Sequence, residues 1–200
     1  MTELDRDAIV DTALELFISR GYPSTTLADI ASASAVDPDV LVEAFPNNEA
    51  FVLAVVDAMH AAVFEELAGM AGAEDLVQAL RDAHQAVLSR TITDDGPVPL
   101  YRMQQMGFIA MTYPVVAQII SAHRKKKLAC TLAELRGVGE DDPEIKRAVT
   151  VWSAVVTATY AAGINDNVMA IPQSDWIETD RMRSRLNRTF TQVTGKETPG

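Results

Sequence analysis

The sequence predicts an all-α protein of about nine helices, with a module of three short helices ahead of a larger helical region. Two observations carry this reading. Apolar residues recur at i, i+3, i+4 and i+7 along nearly the whole chain, and no stretch alternates apolar with polar residues as a half-buried strand would. Pro, Gly and Asn signals then cut the chain into short segments before about residue 47 and longer ones after it. With 200 residues, 48% of them apolar, the chain can bury a sizeable core.

The first helix is expected over about Asp5–Arg20, with Ile9, Ala13, Leu16 and Phe17 on one face and Gly21 as its stop. After a Pro-containing turn, Thr26 as N-cap and Asp29 three residues on resemble a capping box. They open a short helix over Leu27–Ser34 that buries Leu27, Ile30 and Ala31. Asp37 as N-cap and Pro38 at the first helical position start a third helix of about seven residues, burying Leu41 and Phe45. Asn47 caps a longer helix of roughly Asn48–Met70. Residues 73–90 are amphipathic through Leu76, Leu80, Ala83 and Val87, and 91–99 form a loop. A helix over Leu100–Thr112 ends where Tyr113–Pro114 breaks the chain. Helices follow over Val115–Arg136, Pro143–Gly163 and Trp176–Val193.

Composition excludes several classes. The N-terminus has no apolar signal region, and the longest uncharged apolar run, 148–164, is short for a membrane span, so a cytoplasmic protein is expected. Cys130 is alone, so no intrachain disulfide and no cysteine-based metal site is possible. His60, His84 and His123 have no metal-ligand spacing, and there is no nucleophile motif or Gly-rich phosphate loop, so neither an enzyme nor a bound cofactor or metal is expected. The net charge of −11 is concentrated: residues 1–60 hold two basic and eleven acidic side chains, net −9.

Three short N-terminal helices fit either a helix-turn-helix or a purely structural cap. Beyond periodicity, "ALELF", "RGY", "TTLADIA", a small residue before Val36, and Phe45 ahead of an Asn-capped helix with Glu49 occur in order over about 48 residues. This stretch resembles the N-terminal signature of the TetR family. The resemblance implies a homodimeric transcriptional regulator, with a helix-turn-helix domain over 1–47 and an effector-binding and dimerisation domain over 48–200. It places DNA contacts at Thr25, Thr26, Asp37, Val42, Ala44 and Asn48. Several of these depart from the family pattern, which usually has Tyr at Val42, often His at Ala44, Lys at Asn48, and a small residue such as Ser at Asp37. Val42 cannot donate a hydrogen bond, and Asp37 brings a carboxylate towards the phosphates. Because duplex affinity comes mainly from Lys and Arg releasing counterions, the acidic module is expected to bind ordinary DNA weakly. A module acting through a protein partner instead of DNA stays open beside this reading.

Tyr101, Met103, Met106, Phe108, Met111, Tyr113, Trp152 and Tyr160 fit either core packing or an adaptable effector cavity. Thr112, Thr157, Gln104 and His84 would be its polar groups, suggesting an apolar, uncharged or weakly polar effector. Trp152, Val156, Trp176, Met182, Leu186 and Phe190 are the candidate dimer seam along the last two long helices. "HRKKK" at 123–127 is read as a solvated surface or a site for an acidic partner.

Overall fold

The computed structural model describes residues 4–70, 72–91, 98–165 and 179–197, with side chains 91, 100, 160–165 and 179–180 left out. Among these residues there are nine α-helices and no strand. They divide into two compact units, Met1–Ala58 with Tyr101–Ile120, and Met59–Leu100 with Ser121–Gly200.

In the first unit, α1 (Arg6–Leu16) starts at Asp5, whose side chain accepts from the Ala8 amide. It runs on through a π-turn over Phe17–Gly21, so the expected continuous helix widens in its last turn before Gly21. Gly21 has φ 94°, and a Cβ there would lie 3.0 Å from the Tyr113 hydroxyl, so only glycine fits this turn without strain. α2 (Leu27–Ala33) opens with the expected capping box: Thr26 Oγ1 accepts from the Asp29 amide while the Asp29 carboxylate accepts from the Thr26 amide. α2 ends at a turn where Ala35 adopts φ 53° and the Val36 amide donates to the Ala31 carbonyl at 3.0 Å. A left-handed residue closing a helix is usually glycine; a small alanine tolerates it at a cost of about 1 kcal/mol.

α3 (Pro38–Ala44) begins at Asp37, which accepts from the amides of Asp39 and Val40. α4 (Asn48–Ala68) is capped by Asn47, whose Oδ1 accepts from Ala50 at 3.0 Å. Phe17, Ile30, Leu41, Phe45 and Phe51 form the fully buried centre. Phe45 stacks on Phe51 at 4.4 Å, and Phe17 meets Phe51 edge-on at 6.2 Å.

α5 (Leu76–Thr91), α6 (Leu100–Thr112) and α7 (Pro114–Arg136) follow. The expected break at Tyr113–Pro114 is a bend of 118° between α6 and α7. α8 (Pro143–Asn165) and α9 (Thr179–Thr194) pack on each other and on α5 in the second unit. Leu80, Ala83, Val87, Trp152, Val155, Leu186 and Phe190 are buried there. Among the described residues, no single helix is long and apolar enough to cross a membrane.

Candidate functional site

On the face expected to meet DNA, Thr25 and Asn48 turn their donors inward, while the exposed Thr26 spends its own on a neighbouring carboxylate. Thr25 is 2% exposed, and its hydroxyl donates to the Gly21 carbonyl at 3.0 Å and the Leu16 carbonyl at 3.3 Å. The Thr26 hydroxyl donates to Asp29 at 2.6 Å. Asn48 Nδ2 donates to the Thr25 carbonyl at 2.7 Å and the Tyr22 carbonyl at 3.4 Å, tying the start of α4 to the turn before α2. Replacing Asn48 with alanine is therefore expected to lower stability by about 1–2 kcal/mol in urea titrations, by leaving a part-buried carbonyl without its donor. Asp37 is committed to capping α3, and Ala44 is half-buried with its carbonyl accepting from Arg6 at 3.3 Å. What α3 presents outward is apolar and acidic: Val40 is 44% and Val42 47% exposed, beside exposed Asp39 and Glu43.

The cations of this unit are occupied as well. The Arg6 guanidinium lies 4.3 Å over the Phe45 ring, and Arg20 pairs with Asp29 at 3.2 Å. Hydrogen bonds from Thr26, with the nearby Arg20 charge, hold the Asp29 carboxyl below its usual range. Arg102 on α6 reaches α1, with Nε 2.5 Å from Asp11 Oδ1, Nη2 2.9 Å from Asp11 Oδ2 and Nη1 3.0 Å from Asp7. The Tyr101 hydroxyl adds a bond to Asp11 at 2.8 Å. The sequence reading did not single out Arg102. The only local signal was the i, i+4 acid pair Asp7 and Asp11, and nothing in the sequence says which distant cation answers it.

Burial raises the Asp11 pKa, but the hydrogen bonds from Arg102 and Tyr101 outweigh it and hold the carboxyl low. A carboxylate depressed on folding stabilises the protein above its unfolded pKa of about 3.9 and loses that contribution as pH falls through the folded value. Arg102→Leu is accordingly expected to cost about 2 kcal/mol at pH 7. The difference from wild type should shrink as pH drops below about 4, as read from melting temperatures across a pH series.

The effector candidates are divided between the two units. Met103 and Met106 are buried, Phe108 and Met111 are half-buried, and Tyr101 is 46% exposed with its hydroxyl on α1. Tyr113 packs near Tyr22 with ring centres 6.0 Å apart. In the second unit, Trp152 is buried 4.8 Å from the His84 ring. His84 Nδ1 sits 3.3 Å from the Leu80 carbonyl. Burial, His60 and Arg124 push the His84 pKa down to about 3, so the ring is neutral at physiological pH. Tyr160 and Trp176 lie outside the described side chains.

Of the candidate seam residues, Trp152, Val156, Met182, Leu186 and Phe190 are all buried within the chain itself. Met182, Leu186 and Phe190 of the α9 stripe thus pack where α9 meets its own α5 and α8, while Val193 further along α9 is 40% exposed. In the basic run, Lys125, Lys126 and Lys127 are exposed, whereas Arg124 donates to Thr157 at 3.4 Å.

A capped recognition-type helix behind a short helix and a tight turn, ahead of long helices, defines a helix-turn-helix regulator of all-α type. Residues 9–55 match the family described as bacterial regulatory proteins, tetR family. The regulator TcmR of Streptomyces glaucescens is 31% identical over 155 residues, 75% of this chain and 69% of TcmR. The repressor Rv3405c of Mycobacterium tuberculosis is 30% identical over 119 residues, 60% of this chain and 58% of its own. The structure of SmeT, repressor of a Stenotrophomonas maltophilia multidrug efflux pump, shares the fold with a TM-score of 0.56 at 16% identity, covering 97% of this chain and 90% of SmeT. The chain belongs to the TetR family of transcriptional regulators.

Proposed function

We propose that this regulator acts as a homodimer with a small-molecule effector site in residues 48–200, and that its 1–47 module holds ordinary duplex DNA weakly. One observation carries the second part: the side chains that would meet phosphate are already engaged within the fold. Thr25, Thr26 and Asn48 donate to internal acceptors, Asp37 caps α3, and Arg6, Arg20 and Arg102 face an aromatic ring or carboxylates. Non-specific duplex affinity depends on cations free to displace counterions. With the net −9 of residues 1–60 present twice in a dimer, repulsion of the phosphates adds to that deficit.

The dimer seam in this reading runs along α8 and α9 but uses their outward faces, including exposed Arg147, Thr150 and Ala154 on α8 and Arg181, Ser184 and Arg188 on α9. The protein works by binding and not by catalysis. A second reading is favoured by exposed Val40 and Val42 between acidic neighbours: the module docks a basic protein partner, and regulation passes through that partner. Fluorescence-anisotropy titration of the whole protein against its own upstream DNA at low salt separates the two. Weak binding without sequence preference supports the proposal, whereas selective, salt-sensitive binding below about a micromolar overturns it.

A further inference from the structure

Two exposed surfaces, one in each unit, carry opposite charge. The first is the outer face of α3. Asp39 and Glu43 stand one turn apart on it, Val42 follows Asp39 by three residues, and Val40 precedes Glu43 by three. All four are exposed, whereas Leu41 points the other way and is buried. The carboxylates thus form a ridge with a valine on either side. Neither is paired with a cation among the described residues.

The second surface lies on α7, in the basic run at 123–127. Lys125 and Lys126 are exposed, and neither enters an ion pair among the described residues. Ala122, three residues before Lys125 and four before Lys126, is exposed on the same side and is small enough for another helix to come close. A lysine lays its four-carbon stem on apolar surface and carries its ammonium to a charged or wet edge. Carboxylates bordered by valines answer both parts of that side chain, and α3 presents them.

We propose that α3 of one copy docks on the Lys125–Lys126 face of α7 of a second copy, with Asp39 and Glu43 taking the ammonium groups and Val40 and Val42 the lysine stems. Each copy carries both surfaces, so two copies exchange them reciprocally. A reciprocal contact closes on a twofold axis, where a one-way contact would grow into chains. While it holds, the α3 face is withheld from any other partner. This inference rests on the reading in which α3 docks a basic protein partner, and it names that partner as a second copy.

Charge sets the conditions. Chains of net −11 repel one another at long range. In about 0.1 M salt the screening length is about 10 Å, which damps charges far apart and spares pairs in contact. In about 1 M salt it is about 3 Å, and the pairs weaken too, whereas an association held by apolar contact alone would persist.

Sedimentation equilibrium of the whole protein over a concentration series tests the proposal. In about 0.1 M salt the weight-average mass is expected to climb to twice the value reached in about 1 M salt. Lys125→Glu with Lys126→Glu, or Asp39→Lys with Glu43→Lys, should each weaken this association at least about tenfold, because like charges then face each other. An equal mixture of the two double variants rebuilds both contacts with their signs exchanged, and it should associate about as well as wild type. A mass equal in the two salts, an association that neither double substitution weakens, or a mixture no tighter than its components overturns the proposal. Should the α3 variant not fold, the salt series and the α7 variant decide alone. Anisotropy of fluorescein-labelled octalysine separates this inference from the reading beneath it. In the absence of self-association, octalysine binding that is lost on Asp39→Lys with Glu43→Lys keeps the basic-partner reading and refutes the second copy. If octalysine does not bind, or binds that variant equally well, both fall.

Discussion

Phe45→Ala is expected to destabilise the protein by about 3–5 kcal/mol and to lower its melting temperature by about 10 °C. The ring is 1% exposed, stacks on Phe51 at 4.4 Å and carries the Arg6 guanidinium on its other side at 4.3 Å. Truncation leaves a cavity between helices too short to close over it, since α2 and α3 have seven residues each. Phe45→Leu keeps much of the volume and loses the stacking and cation–π contacts, so its cost should be about 1–2 kcal/mol. Urea melts of the two variants check the pair. Equal losses would mean that ring geometry, and not the filled volume, holds this core.

How much of this was legible in the sequence follows from the range of each interaction. Thr26 with Asp29, Asp37 with Pro38, and Asn47 ahead of α4 act within three residues, so helix starts could be read directly. Gly21 could be read as a stop, but not the π-turn leading into it, and not the close approach of the Tyr113 hydroxyl, some ninety residues away, that leaves no room for a Cβ there. The stripe Met182, Leu186 and Phe190 announced a buried face without saying what buries it. Amphipathicity has no term for own chain against partner, and here the cover is α5 and α8. The Arg102 clamp on Asp7 and Asp11 spans about ninety residues and left no local trace. For the DNA face, the missing Tyr and Lys were visible at Val42 and Asn48. That Thr25 and Asn48 spend their donors on carbonyls inside the module needed the fold.

That inward use decides which substitutions restore DNA binding. Asn48 is a poor target, since a lysine there gives up the bonds to Thr25 and Tyr22 while it adds a charge. Asp37 and Val42 are better placed. Serine at 37 still caps α3 while removing a carboxylate, and Val42 is 47% exposed, so a tyrosine there meets solvent and not the core. Asp37→Ser with Val42→Tyr is therefore expected to fold as wild type and to raise affinity for its upstream DNA at least about tenfold at low salt, because each head gains a hydroxyl donor towards phosphate and loses a repelling charge. The gain should fade as salt rises, and binding of a basic peptide to the α3 face should weaken in parallel if the module serves a protein partner. Unchanged DNA affinity in a folded variant would show that the deficit lies in the acidity of the whole module and not at these two positions. Neutralising Asp39 and Glu43 as well would then be the change that matters, because both are exposed on the same short helix and neither is paired with a cation among the described residues.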